Sequence, residues 1–272
     1  MATLMHTNKI EPNDAEHQTG VRETLSMVVH DLKTPMSVIN GYIEFLLSEK
    51  LGPLNEQQRA ILLQSQASGE RLAAYIDNFL SLSALRAKKF VPELKEGLIQ
   101  NCLNEVRSFW KKPFESKHVA LALTCDSSIG PFEFDCHKTQ RVISNLLENA
   151  LQYSPADSKV EVSVTPYFWE RRTSDDEHFP ERRWQCSSTA NAVMIRVSDE
   201  GPGIPSKFHA AVFEEYFRVP GRSAPGRGTG LGLAIAKNLV EAMHGEIWID
   251  TEVQNGSHFV VVLPISREVR RA

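Results

Sequence analysis

The sequence predicts two domains of different class: a long α-helical hairpin that pairs into a dimeric four-helix bundle and, after it, an α/β sandwich. Three observations carry this. Leu25, Val29, Leu32, Met36, Ile39, Ile43 and Leu46 recur in alternating steps of four and three, the seam of a helix packed in a bundle. A second helical stretch of similar length follows the breaker Gly52-Pro53, as an antiparallel hairpin requires. From Phe90-Val91-Pro92 onward, short alternating runs such as Val160, Val162 and Val164 interleave with helical patterns, which is the signature of helices over a mixed or antiparallel sheet.

The chain has 272 residues, of which 42% are hydrophobic and 24% charged, enough for two separate cores. A formal net charge of -4 gives no bulk positive field, so nucleic acid is not an expected partner. No eighteen apolar residues run uninterrupted, so no membrane span is expected. The N-terminal stretch MATLMHTNKIEPNDAEHQTG has no apolar core of the kind a secretory signal needs. Four cysteines without a CxxC pair fit a reducing compartment. The expected location is cytoplasmic.

Residues 1–20 are polar, punctuated by Pro12 and Gly20, and read as a flexible arm. Residues 21–89 form the hairpin domain. Its first helix is expected from Val21 to Glu49 and crosses Pro35, which removes one backbone hydrogen bond and should bend the helix. His30 follows the seam residue Val29, so the register turns it towards solvent. Asp31 is beside it and Thr34 one turn on. A second helix, capped by Asn55, is expected from Glu56 to Lys88. A hairpin buries one side of each helix, so its exposed stripe needs a cover. Either a second copy supplies it, giving a homodimer, or the C-terminal part of the chain does.

Residues 90–272 form the second domain. Helices are expected near Leu94–Trp110, His137–Tyr153 and Leu231–Ala242. Strands are expected near His118–Thr124, Lys159–Thr165, Ala192–Ser198, Glu246–Asp250 and Phe259–Pro264. Plain alternation in the strands predicts a sheet with one face wet or partly covered. Phe168 to Asn191 interrupts two strands. It reads as a long hairpin loop or, through Trp169 and Trp184 flanked by arginines, as a docking surface.

Three segments of this domain carry unusual chemistry. In QRVISNLLENALQYSP, Asn145 and Asn149 lie one helical turn apart and share a face. Buried amides need partners, so the pair suits a polar ligand or a metal, or else a solvated helix surface. In SDEGPGIPSKF, Asp199 ends a strand where it can accept a hydrogen bond from an amino group such as that of adenine, and Gly201 and Gly203 let backbone approach a flat ring. In GRSAPGRGTGLGLAIAKNLVEAMHG, Gly228, Gly230 and Gly232 precede a helix, where exposed amides suit phosphate oxygens. No GKS/T follows, and no strand precedes it, so neither a Walker A loop nor a Rossmann fingerprint fits.

In order along the chain, these motifs resemble the core of a bacterial-type sensor histidine kinase. That core is a dimerisation and phosphoacceptor domain (HisKA-like) followed by an ATP-binding domain of the GHKL, or Bergerat, fold. HDLKTP resembles the H-box, NLLENALQYSP the N-box, DEGPGIP the G1 box, VFEEYFRV the F-box and GRGTGLGLAI the G2 box. The resemblance covers Val21 to Ile265. It implies ATP and Mg²⁺ as cofactors, His30 as phosphoacceptor, and Asp31 and Asn145 in catalytic roles. It makes Asn149 the metal ligand and Thr34 the residue that orients water in a reverse phosphatase reaction. Tyr153, Asp199, Gly201, Gly203, Phe213, Arg218, Gly228, Thr229, Gly230, Leu231 and Gly232 would surround the nucleotide, with Phe213 and Phe217 anchoring a lid. Gln152 stands where the family commonly has a cation; Arg218 or Arg227 would compensate.

The resemblance also implies the reaction. The γ-phosphoryl of ATP passes to an imidazole nitrogen of His30 and then to an aspartate of a response-regulator receiver domain. Asp31 would orient the other ring proton. Input is expected from a separate sensor protein or from a region outside this sequence. Two other readings remain: a degenerate nucleotide-binding dimeric scaffold with little turnover, which Gln152 alone favours, and a GHKL serine kinase or ATPase, which residues 21–88 oppose.

Overall fold

The computed structural model describes residues 34–86, 91–169, 190–221, 229–250 and 256–265. The chain divides into two compact units, Met1–Lys89 and Phe90–Ala272.

In the first unit, helix α1 (34–47) and helix α2 (Glu56–Arg86) form a hairpin. The start of the first helix lies outside the described residues, whereas Pro35 is described and helical, the second residue of α1. Asn55 closes the turn with a reciprocal capping box. Its Oδ1 accepts the Gln58 amide at 2.8 Å, and the Gln58 side chain accepts the Asn55 amide at 3.0 Å, so two otherwise orphaned donors are satisfied. One stripe of α1, at Met36, Asn40, Ile43 and Leu47, is buried or half-buried. A second apolar stripe is exposed: Ile39, Tyr42 and Phe45 on α1, with Ile61, Leu63 and Leu72 on α2. The hairpin therefore leaves apolar surface that the described residues of this unit do not cover.

Inside the hairpin, Asn40 meets Gly69. A Cβ at Gly69 would lie 2.2 Å from Asn40 Oδ1, and that oxygen is buried with no hydrogen-bond partner. A buried unpaired acceptor costs about 1–3 kcal/mol, and glycine inside a helix about 1 kcal/mol against alanine. The double variant N40A/G69A removes both and fills the gap with two methyl groups. It is expected to be more stable than the parent by about 1–3 kcal/mol in urea unfolding; a lower midpoint would show that the pair stabilises the hairpin.

The second unit is a mixed five-stranded sheet with helices packed on it. In chain order it contains β1 (Lys95–Gly97), α3 (Ile99–Ser116), β2 (Ala120–Cys125), β3 (Phe132–Phe134), α4 (Cys136–Tyr153), β4 (Lys159–Tyr167), β5 (Ala192–Asp199), α5 (Gly232–Ala242), β6 (Glu246–Ile249) and β7 (Ser257–Pro264). The sheet order is β2-β4-β5-β7-β6. β2 and β4 run parallel and the other neighbours antiparallel. β1 and β3 form a separate antiparallel pair.

One expectation is corrected here and a second is narrowed to one of its two alternatives. The helix read from Leu94 begins at Ile99, because Lys95–Gly97 pairs with Phe132–Phe134. It also runs on through Pro113 to Ser116, because Trp110 and Phe114 continue its buried face. The sheet's second face is not wet at its centre. Trp169, Ala192, Met194, Val260 and Val262 are buried there, with Tyr167 and Trp248 packed against them. Alternation of burial holds in β4, whereas the central strands β5 and β7 are mostly buried on both faces. Asn191 fastens Trp169 in place: its Oδ1 accepts the Trp169 amide at 2.8 Å, and its Nδ2 donates to the Trp169 carbonyl at 3.0 Å. Of the segment read as a hairpin loop or docking surface, residues 170–189, Trp184 among them, lie outside the described residues.

α4 is the element that positions the site. Asp135 caps its N-terminus, accepting the Lys138 amide at 3.0 Å on one oxygen and the Glu93 amide at 2.9 Å on the other. Ile143, Leu146 and Leu147 are fully buried, each contributing about 1.5–3 kcal/mol. At the far end the Lys117 ammonium donates to the carbonyls of Leu151, Gln152 and Ser154, a cationic cap on the negative end of the helix. With three turns buried and both ends tied, α4 presents its polar face from a fixed frame.

Candidate functional site

On that face Asn145 and Asn149 are both half-buried, as their four-residue spacing requires. Asn145 Nδ2 donates to the Gly232 carbonyl at 3.0 Å, so one of the two amides ties α4 to the first residue of α5. The same junction is shaped by Thr229, whose hydroxyl accepts the Leu231 amide at 3.1 Å, and by Leu231, buried at the helix start. Gly230 has φ +71°, and a Cβ there would lie 2.8 Å from the Tyr216 backbone. Its carbonyl accepts the Tyr216 amide at 2.9 Å. A side chain at 230 would separate these strands of backbone. By contrast, a Cβ at Gly232 would make an ordinary contact with Asn145 at 4.0 Å. The amides at the start of α5 lie beside the polar face of α4, an arrangement suited to anionic oxygens.

The second wall comes from the end of β5. Asp199 is 6% exposed, and its Oδ1 accepts the Gly201 amide at 2.8 Å and the Ser257 amide at 3.2 Å. Burial pushes its carboxyl above the ordinary carboxylate range. The two amides, the His258 charge and the Ser257 hydroxyl pull the other way. A Cβ at Gly201 would meet Asp199 Oδ1 at 2.7 Å and the Tyr153 carbonyl at 3.3 Å. Gly203, at φ +69°, would press one against the Gly256 carbonyl at 2.9 Å. Gly201 is confined by the Asp199 carboxylate and the Tyr153 carbonyl, where the end of α4 lies beside the end of β5, and Gly203 by the Gly256 backbone.

Phe213 is buried and packs edge-to-face on Phe259 with centroids 6.3 Å apart, and Phe217 lies 5.7 Å from Phe208. Arg218 follows, exposed. Tyr153 closes α4 with 39% of its surface exposed. Thr34 is the first described residue of α1 and is exposed; it belongs to the other unit. His30, Asp31, Gly228 and Arg227 lie outside the described residues.

Sequence reasoning missed Gly256 and Ser257. Ser257 supplies an amide and a hydroxyl to Asp199. Gly256, at φ +78°, would drive a Cβ to 1.7 Å from the Asp199 carbonyl. The readable signal was a glycine immediately before an apolar strand. G256A is expected to lose about 3 kcal/mol in urea unfolding, and an unchanged midpoint would refute the close approach. A cavity of about 230 Å³ lined by Leu98, Phe134, Asp135 and Cys136 lies at the N-terminal end of α4, away from the asparagine pair.

Comparison with known proteins agrees with this architecture. Residues 21–88 match the family model described as the His Kinase A (phospho-acceptor) domain. Residues 135–267 match the one described as histidine kinase-, DNA gyrase B-, and HSP90-like ATPase. Among curated relatives, the adaptive-response sensory kinase SasA of Synechocystis sp. is 25% identical over 249 residues, covering 90% of this chain and 59% of that protein. The sensor histidine kinase WalK of Bacillus subtilis is 29% identical over 269 residues, covering 98% of this chain and 40% of that protein. The chain thus spans less than two thirds of the length of these relatives.

Two solved structures share the fold. Full-length ShkA in complex with AMPPNP gives a TM-score of 0.66 at 22% identity, covering 90% of this chain and 46% of that one. The Acinetobacter baumannii histidine kinase AdeS gives 0.57 at 18% identity, covering 88% and 98%. The chain thus joins a His Kinase A phosphoacceptor domain to a histidine kinase-, gyrase B- and HSP90-like ATPase domain, in the order its motifs run, the arrangement of the bacterial sensor histidine kinases that it matches.

Proposed function

We propose that this chain is the kinase core of a two-component system: it binds ATP with Mg²⁺, phosphorylates His30, and passes the phosphoryl group to an aspartate of a response-regulator receiver domain. The observation that carries the reading is the junction at Asn145 and Gly232. It sets the amide-rich start of α5 against the polar face of α4, the helix whose end at Tyr153 lies beside the turn after the buried Asp199. Phosphoryl transfer is mostly positioning and charge neutralisation, and these are what such a junction supplies.

In this reading Asp199 receives the base amino group, and Gly201 and Gly203 leave room for the ring. The amides from Gly230 onward, with Gly228, Thr229 and Leu231, hold phosphate oxygens, and Phe213 and Arg218 belong to the base of the loop over them. Asn149 fits a divalent cation. Its amide oxygen is a hard donor, and no cluster of three His, Cys, Asp or Glu able to hold a metal occurs among the described residues. A metal here would therefore take most of its ligands from phosphates and water, the habit of Mg²⁺. When bound, Mg²⁺ supplies neutralisation of phosphate charge. Asn145 orients the glycine loop through its bond to Gly232. Asp31 orients the imidazole of His30, and Thr34 orients water in the reverse phosphatase reaction.

The exposed apolar stripe of the hairpin supports a homodimer, in which a second copy completes a four-helix bundle. No helix among the described residues is long and apolar enough to cross a membrane, and input reaches the core from a separate sensor protein or from a region outside this sequence. Incubation with γ-labelled ATP and magnesium tests the function. Acid-labile, alkali-stable label on the protein is expected. Label that survives acid would refute a phosphohistidine, and nucleotide binding without label would mark a scaffold.

A further inference from the structure

The turn that follows Asp199 reads Gly201-Pro202-Gly203-Ile204-Pro205. Pro202 and Pro205 have no amide hydrogen, so two of its five residues cannot be held by backbone donation. Its first fastening is the Gly201 amide on Asp199, at 2.8 Å. Its second is the packing of Gly203 on the Gly256 carbonyl. At the far end the Pro205 carbonyl accepts the Phe208 amide at 2.8 Å, and a side chain adds a second hold. His209 Nε2 lies 2.7 Å from the Ile204 carbonyl, and both residues are half-buried. A carbonyl can only accept, so the ring must carry hydrogen on Nε2, either as that tautomer or as the imidazolium.

We propose that His209 is a positioning residue for the nucleotide. By donating from Nε2 to Ile204 it fixes the glycine turn in the form that accepts the base end of ATP. The inference rests on the nucleotide-site reading above and adds to it a residue that none of the motifs contains. The adjoining residue Phe208 packs against Phe217, so the turn held by His209 shares its support with the residues entering the glycine-rich loop. His209 touches neither phosphates nor His30 in this scheme; it acts through Ile204. Its loss should raise KM for ATP and leave kcat nearly unchanged.

Three variants of the full chain separate hydrogen bond from volume. H209Q keeps a donor at the position of Nε2, H209F keeps a ring without a donor, and H209M serves as a second donor-free variant should H209F fail to fold. Calorimetric titration with ATP and magnesium is expected to give about tenfold weaker binding for H209F or H209M and within about threefold of the parent for H209Q. KM for ATP in autophosphorylation should follow the same pattern. In nucleotide-free protein, hydrogen exchange at Gly201, Gly203 and Ile204 is expected to accelerate in the donor-free variants only. Parent-like binding and exchange in H209F, or an H209Q as impaired as H209F, would overturn the proposal. A parent chain that binds no ATP would instead overturn the nucleotide reading, while the exchange comparison still decides whether His209 holds the turn.

Discussion

H30Q is expected to lower incorporation of label from γ-labelled ATP by a factor on the order of 10³ or more, the scale on which removing a nucleophile acts. Imidazole keeps a lone pair near neutral pH, whereas an amide nitrogen has none to offer phosphorus. The loss should be confined to transfer. His30 stands beside the seam residue Val29, and the residues proposed to bind ATP belong to another unit, so binding of ATP and the oligomeric state should match the parent. Quantitative autoradiography before and after acid, with calorimetry on the same preparations, checks both halves. Label retained in H30Q would move the acceptor elsewhere, and lost nucleotide binding would point to a structural defect.

How much of this was legible in the sequence follows from where each signal lives. The hairpin turn was readable because the Gly52-Pro53 breaker is a local pattern, and Asn55 caps the second helix as its type and place suggest. Of the expected seam, Leu25, Val29 and Leu32 lie outside the described residues, Met36 and Ile43 are buried or half-buried, and Ile39 and Leu46 are exposed. The asparagine pair was readable because a four-residue spacing fixes a shared face. The use of Asn145 was not, because its partner, the Gly232 carbonyl, is 87 residues away. Distance along the chain hid Ser257 in the same way: its amide reaches Asp199 across 58 residues. The outer face of the sheet was read as wet or partly covered from the alternation in β4, which could not choose between the two because it does not extend to β5 and β7. Burial of those strands is set by Trp169, Met194 and Trp248 coming together, not by period. β1 and β3 are three residues each, too short to show any period.

D199N is the second large effect, and it should divide stability from binding. Asp199 Oδ1 already accepts two backbone amides, so its second oxygen is the group a base amino would meet. In D199N an amide nitrogen takes that role and donor faces donor. Loss of a charge-assisted bond is worth about 1.5–3 kcal/mol, so ATP affinity should fall by roughly 10- to 100-fold. The folded protein without nucleotide should respond in the opposite sense. Burial holds the Asp199 carboxyl above the ordinary carboxylate range, so the folded state binds that proton more tightly than the unfolded chain does. The stability this contributes is complete below the unfolded carboxylate range, near about pH 3.9, and is lost as pH rises through the folded value. At neutral pH the parent carries a buried carboxylate at a cost, and asparagine, which resembles the protonated acid, does not. D199N should therefore melt higher than the parent at pH 7–8, with the difference shrinking towards about pH 4. A D199N that binds ATP like the parent would remove Asp199 from base recognition. One that melts lower at neutral pH would show that its charge strengthens the bonds from Gly201 and Ser257 by more than burial weakens it.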